Sequence, residues 1–205
     1  MRACDVAHQQ FVIRAAGVED IRRARAEGWV ALVPALESVA MIENELDRIE
    51  ILCGLGVQSM GPTYSESDAL GTGKGDVHER DGGLTAFDVK AIERMNKVRM
   101  AISVSHASER TALDACAASE RPVLDTHTLA DAVGYGSSNR KLRAVADTGG
   151  VVGVAASAVI PDIEYFMRHF EYMIDLLGID HVAFGTDVLY VTIEASSNCS
   201  VETTR

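Results

Sequence analysis

Four side chains of types that bind metal ions follow predicted strands in this 205-residue chain. His106 and His127 each end a short apolar strand, Glu37 follows an earlier apolar strand, and Asp187 follows the last one. Two imidazoles with a carboxylate are a common ligand set for catalytic zinc, which keeps one position open for water. A carboxylate can also bridge two ions, and paired metals activate a shared water. These residue types indicate metal-assisted hydrolysis.

Each of the four residues also has an ordinary structural explanation. A histidine at a strand end is commonly a loop anchor or a satisfied polar residue. Glu37 could pair with a loop arginine, and Asp187 could be a turn residue or a helix N-cap. Because all four are expected at one rim of a sheet, a functional arrangement is the better account of them together.

The elements around the two histidines form one βαβ unit. The strand before His106 alternates apolar and serine residues, and the strand before His127 contains Val123 and Leu124. Ser108 can cap the helix between them. In α/β folds the carboxyl ends of parallel strands are where ligands bind, so both imidazoles are expected at that edge.

The rest of the chain repeats the alternation of strand and helix. About six strand-then-helix steps with short connections predict an α/β fold with a parallel sheet and right-handed crossovers. A complete (β/α)8 barrel needs eight strands and about 250 residues, so the sheet is either open or an incomplete barrel. We expect one domain over residues 1–205, with weakly patterned ends at 1–16 and 188–205. The further predicted helices cover 18–27, 39–53, 139–147 and 163–177, with one more beginning at Thr85, and the further strands cover 29–36, 57–60, 151–155 and 181–184.

Composition narrows the partners and the compartment. A formal net charge of -11 argues against nucleic acid as a partner, because no basic face is available for phosphates. No apolar run reaches the roughly 18 residues of a membrane span, and no signal-peptide pattern opens the chain. The four cysteines are scattered and fit a reducing compartment. We therefore expect a cytoplasmic protein.

Several motifs occur together in one order and at a characteristic spacing. They are residues 20–32, Glu37, the Asp-Gly-Gly-Leu-Thr of 81–85, the Ser-Val-Ser-His-Ala-Ser of 103–108, the Thr-His-Thr of 126–128, residues 149–153 and the His-Val-Ala-Phe-Gly-Thr-Asp of 181–187. In these motifs the chain resembles the membrane (renal) dipeptidase family, binuclear-zinc peptidases on a TIM-barrel-like (β/α)8 fold related to the amidohydrolases. The match covers roughly residues 10–190. The resemblance implies an incomplete TIM-barrel-like metallo-hydrolase fold of about six βα units.

The resemblance also implies roles for individual residues. Glu37 corresponds to the metal-bridging carboxylate, and His106 and His127 correspond to ligands of one zinc. Asp187 corresponds to a carboxylate ligand beside the other zinc that orients or deprotonates the attacking water. Arg140 is the nearest candidate for the arginine that holds the substrate's free carboxylate, and Tyr64 stands where many members have a substrate-contacting histidine. The implied cofactor is zinc, and the implied substrate is a small dipeptide-like molecule.

The chain also departs from the family pattern. The family's His-x-Asp pair is missing before Glu37, where the only histidine, His8, is followed by Gln9 and Gln10. We therefore expect at most one tightly bound zinc, and open strand edges that favour a homo-oligomer. Three functions stay open: a zinc dipeptidase represented by an incomplete chain, an inactive mono-zinc or metal-free binding module, and an amidohydrolase acting on a non-peptide amide.

Overall fold

A computed structural model describes residues 11–64, 71–75, 81–156 and 160–187. Packing divides the chain into two compact units, residues 1–123 and 124–205. The expectation of a single domain over 1–205 stays a prediction. Of the two ends that we expected to be weakly patterned, residues 1–10 and 188–205 lie outside the described ranges, whereas residues 12–14 form a strand.

The first unit contains two sets of parallel strands. β1 (Val12–Arg14) and β2 (Val30–Leu32) pair in a two-stranded sheet. β3 (Ala35–Leu36), β4 (Ser59–Met60) and β5 (Ala101–Ser103) pair in sequence order in a larger one. The 3-10 helix Ala40–Ile42 lies between β3 and α2. The elements are β1 Val12–Arg14, α1 Val18–Glu27, β2 Val30–Leu32, β3 Ala35–Leu36, α2 Arg48–Gly54, β4 Ser59–Met60, α3 Ala86–Val98, β5 Ala101–Ser103 and α4 Glu109–Ala118.

The second unit continues the strand and helix alternation. β6 (Val123–Thr128) pairs with β7 (Val151–Val154), and β7 pairs with β8 (Val182–Phe184), both in parallel. A 3-10 helix, Ile179–His181, precedes the last strand. The elements are β6 Val123–Thr128, α5 Asn139–Asp147, β7 Val151–Val154, α6 Ile163–Leu177 and β8 Val182–Phe184.

In each unit the parallel strands pair in their order along the chain, β3-β4-β5 in the first unit and β6-β7-β8 in the second. Six α-helices accompany the strands in the described part of the chain. The predicted α/β class with a parallel sheet is therefore confirmed. Within the described residues, no helix is both long and apolar enough to cross a membrane.

Two predicted elements are divided in the structure, and each division has a local cause. The strand expected over 29–36 is two strands, because Pro34 has no N–H to continue the ladder and separates β2 from β3. The helix expected over 39–53 is a 3-10 helix followed by the short α2. Glu43 and Asn44 interrupt it with φ values of 45° and 65°, which a continuous right-handed helix cannot contain.

Helix starts agree closely with the sequence. Ser108 caps α4, since its hydroxyl accepts a hydrogen bond from the Thr111 amide. Thr85 and Asp88 form the predicted capping box of α3, in which each side chain accepts from the other residue's backbone amide. Each cap satisfies amide groups that have no partner within the helix.

Candidate metal centre

In the first unit, Glu37 and His106 are brought together beyond the ends of two strands. Glu37 directly follows β3, and His106 lies three residues past the end of β5. The Glu37 Oε2 atom lies 3.6 Å from the His106 Nε2 atom. Strand β4 separates β3 from β5 in the sheet, so the carboxylate and the imidazole must reach across the end of β4.

A glycine at the end of β4 makes this approach possible. A Cβ atom added to Gly61 would lie 2.5 Å from the Glu37 carbonyl oxygen and 3.0 Å from the Ser103 carbonyl oxygen. No side chain fits there without moving the backbone of β3 or β5. Gly61 thus allows the chain to bring Glu37 close to the segment that carries His106.

The Tyr64 ring packs against the imidazole of His106. The two ring centroids are 4.2 Å apart and the planes are inclined by 35°. This contact restricts rotation of the imidazole from one side. Tyr64 was predicted from family resemblance to bind substrate; that role stays a prediction, and the structure adds the contact with His106.

In the second unit, His127 lies in β6 and its Nδ1 atom is 3.2 Å from the Thr126 hydroxyl oxygen. When this hydroxyl accepts from Nδ1–H, the lone pair lies on Nε2, as in zinc-binding histidines whose other nitrogen donates to a neighbour. Two glycines pack on the same peptide. A Cβ atom added to Gly153 or Gly185 would lie 2.2 or 2.0 Å from the Thr126 carbonyl oxygen. Close backbone approach therefore fixes the peptide that precedes His127.

Glu37, His106 and His127 are the three residues that the sequence predicts as metal ligands. Glu37 and His106 lie in the first unit and His127 lies in the second. Zinc bonds of about 2.0–2.1 Å in a tetrahedron place two ligand atoms about 3.4 Å apart. The 3.6 Å between Glu37 and His106 is already near that value. The residue types and spacing of Glu37 and His106 therefore fit two ligands of one zinc ion.

Asp187 and Arg140 are the remaining residues that the sequence predicts for the site. Asp187 is exposed, three residues past β8, and has a φ of 52°. Arg140 is the second residue of α5, on its exposed side. Their roles as a catalytic carboxylate and a substrate-carboxylate ligand stay predictions.

Sequence reasoning missed a buried ion pair beside Arg140. The Lys141 Nζ atom lies 3.5 Å from Asp125 Oδ2, and both side chains are almost fully buried. Ser137 donates a hydrogen bond to Asp125 Oδ2 at 3.5 Å. Side chains alternate between the two faces of β6, so Asp125 lies on the same buried face as Val123. This alternation was the signal available in the sequence.

Comparison with known proteins gives a consistent family and fold. A family model described as "Membrane dipeptidase (Peptidase family M19)" matches residues 2–197. An uncharacterized Klebsiella pneumoniae protein from the pqqA 5' region is 29% identical over 191 residues, which are 85% of this chain and 70% of that protein.

Two solved structures are similar to the chain. An amidohydrolase from Pseudomonas aeruginosa has a TM-score of 0.85 and 26% identity, over 92% of this chain and 60% of that one. A metallopeptidase from Rhodobacter sphaeroides, liganded with a phosphinate mimic of the dipeptide L-Ala-D-Ala, has a TM-score of 0.79 and 27% identity. That match covers 88% of this chain and 56% of the metallopeptidase. The predicted TIM-barrel-like fold, present in part, is confirmed, and the chain spans less than two thirds of either structure.

Proposed function

The chain belongs to the membrane dipeptidase family, and on that premise we propose that it is a zinc-dependent hydrolase of dipeptide-like amides. The observation that carries the proposal is the approach of Glu37 Oε2 to His106 Nε2 at 3.6 Å in the first unit, with His127 as the third ligand that the family resemblance implies. We propose one zinc ion per chain, held by these three residues. The four cysteines are scattered along the sequence, which fits the reducing, cytoplasmic compartment that we propose for the chain.

The reaction adds water across an amide bond. When bound, zinc supplies a Lewis acid that polarises the amide carbonyl and makes water more acidic. The Asp187 carboxylate accepts a proton from the attacking water and returns it to the leaving amine nitrogen. Tyr64 donates a hydrogen bond to a substrate carbonyl, and Arg140 binds the substrate's free carboxylate, which limits the substrate to short peptides.

The proposed substrate class agrees with what one relative binds. The Rhodobacter metallopeptidase is liganded with a mimic of a dipeptide. The present chain spans 56% of that structure. Tyr64 favours a related alternative, an amidohydrolase that acts on a non-peptide amide, since a phenol does not perform imidazole acid-base chemistry at neutral pH.

A second candidate function is a metal-binding module without turnover. The observation that favours it is the exposure of Asp187, the proposed proton acceptor. Hydrolysis needs a positioned proton acceptor together with the charge-stabilising ion, and losing one member of such a unit costs nearly the whole effect.

Two variants and a matched control separate these functions. Zinc content is measured by elemental analysis, and hydrolysis is followed as release of free amino acid from a dipeptide. His127→Ala should lose both zinc and turnover, whereas Asp187→Asn should keep zinc and lose turnover. Asp180→Asn changes another exposed carboxylate near β8 and should change neither.

The outcomes of this experiment are distinct. Zinc-dependent hydrolysis that disappears in both variants supports the proposed hydrolase. Stoichiometric zinc without hydrolysis selects the binding module. A chain that binds no zinc, or whose zinc content His127→Ala leaves unchanged, overturns the metal centre itself.

A further inference from the structure

Two short segments hold the backbone of the turn that carries His106. We call residues 71–75 and 81–83 the strap. The Lys74 amide donates a hydrogen bond to the His106 carbonyl oxygen at 2.8 Å, and the Ser108 amide donates to the Thr72 carbonyl oxygen at 3.0 Å. Between these bonds, residues 73 and 107 form an antiparallel bridge. The strap therefore bonds to the chain at His106 itself and again two residues later.

The second part of the strap holds the same turn through Asp81. Ser108 Oγ donates to Asp81 Oδ1 at 2.6 Å, and the Arg110 amide donates to Asp81 Oδ2 at 3.1 Å. A carboxylate only accepts, so the Ser108 hydroxyl proton points to Asp81. The Ser108 oxygen remains an acceptor for the Thr111 amide at the start of α4. Asp81 thus orients the cap of the helix that follows His106.

Thr72 joins the two parts of the strap to each other and to α4. The Gly82 amide donates to Thr72 Oγ1 at 3.1 Å, and the Thr72 amide donates to Thr111 Oγ1 at 3.1 Å. The side chains of Thr72, Ser108 and Thr111 are all buried. Because water cannot replace a lost partner at a buried site, breaking one of these bonds leaves an unsatisfied polar group.

We propose that the strap is a positioning element for His106 in the metal centre, an inference that rests on the proposed function. Tyr64 contacts the imidazole ring, while the strap fixes the backbone from which the ring extends. Metal affinity depends on the orientation of each ligating histidine, and loss of supporting contacts commonly lowers it about 10–100-fold. The strap acts on the metal centre through the position of His106 and not by contact with substrate.

The test measures zinc affinity of the full chain by competition with a chelating dye, with thermal melting of the metal-free protein as a companion. Thr72→Val removes the hydroxyl that joins the two parts of the strap, and Thr72→Ser restores it. We expect roughly tenfold weaker zinc binding for Thr72→Val and for Asp81→Ala, near the lower end of the usual range. We expect affinity within about twofold of the unmodified chain for Thr72→Ser.

Asp162→Ala is the matched control. Asp162 caps α6 by accepting from the Tyr165 amide at 2.7 Å, so this variant also loses a helix-capping carboxylate. It should lower the melting temperature as Asp81→Ala does and leave zinc affinity unchanged. Equal zinc affinity in all variants overturns the strap inference while the metal centre stands, and equal losses in Asp162→Ala and Asp81→Ala also overturn it. An unmodified chain without zinc binding overturns the proposed function, and the strap inference with it.

Discussion

Substituting Gly61 with alanine tests how the strand ends bring Glu37 toward the segment of His106. The added Cβ would lie 2.5 Å from the Glu37 carbonyl oxygen, and ordinary contact begins at 3.4 Å, so one of the two must move by about 0.9 Å. The second neighbour, the Ser103 carbonyl oxygen at 3.0 Å, blocks retreat toward β5. Overpacking of this kind costs about 1–3 kcal/mol. A cost of about 2 kcal/mol lowers the melting temperature of a chain of this size by roughly 4–8 °C.

Zinc affinity should fall in the same variant. The clash is with the peptide of Glu37, so relief of the clash moves the carboxylate away from the imidazole, and we expect a loss of roughly tenfold or more. The assays are thermal melting without metal and zinc titration against a chelating dye. Gly54→Ala is the control, because nothing lies within 4 Å of its added Cβ and alanine is favoured in a helix. A Gly61→Ala chain that melts and binds zinc like the unmodified chain would refute the reasoning.

Three other predictions concern charge and metal. Burial holds the pKa of His169 below its usual 6.5, and its Nδ1 accepts from the Ala130 amide at 3.0 Å. As the pH falls, the unfolded chain takes up this proton before the folded chain does, so the free energy of unfolding should be constant above about pH 6.5 and fall below it. Between pH 7.5 and 5, the melting temperature of His169→Gln should fall less than that of the unmodified chain. Parallel curves of melting temperature against pH for the two chains would contradict this. Lys141→Met should lower the free energy of unfolding in urea by about 3–5 kcal/mol, because it leaves Asp125 buried without its cation. Adding Asp125→Leu should restore most of this loss. A double variant no more stable than the single one would show that the pair is not the cause. Elemental analysis should find at most one zinc per chain and none in His106→Ala, and two zinc ions per chain would contradict the three-ligand account.

Local rules explain why the helix starts could be predicted from the sequence. The capping box of Thr85 and Asp88 and the cap at Ser108 involve residues within three positions of one another, so their patterns are visible in the chain itself. The division of the strand at Pro34 was equally local but was not predicted, because the apolar residues around Pro34 are typical of one continuous strand. The interruption by the positive φ values of residues 43 and 44 has no comparable signature, since nothing in their residue types requires that conformation.

The site could be predicted in its residue types but not in its supports. The sequence indicates Glu37, His106 and His127 because residue types that bind metals are uncommon at the ends of apolar strands. Bonds of the strap join Thr72 to Ser108 and to Thr111, more than 30 positions away along the chain, and no periodicity links such distant partners. The buried pair of Asp125 and Lys141 is likewise a property of packing.

The metal binding and the proton transfer that we propose use different parts of this chain. Glu37 and His106 extend from backbone held by the close approach at Gly61 and by buried hydrogen bonds, so their separation is set before any ion arrives. Asp187 and Arg140 are exposed residues. In the proposed function, zinc binding uses Glu37, His106 and His127, whereas hydrolysis also needs Asp187 and Arg140 held against a substrate. Zinc affinity should therefore respond to changes at the strand ends, and turnover should respond in addition to whatever orders Asp187.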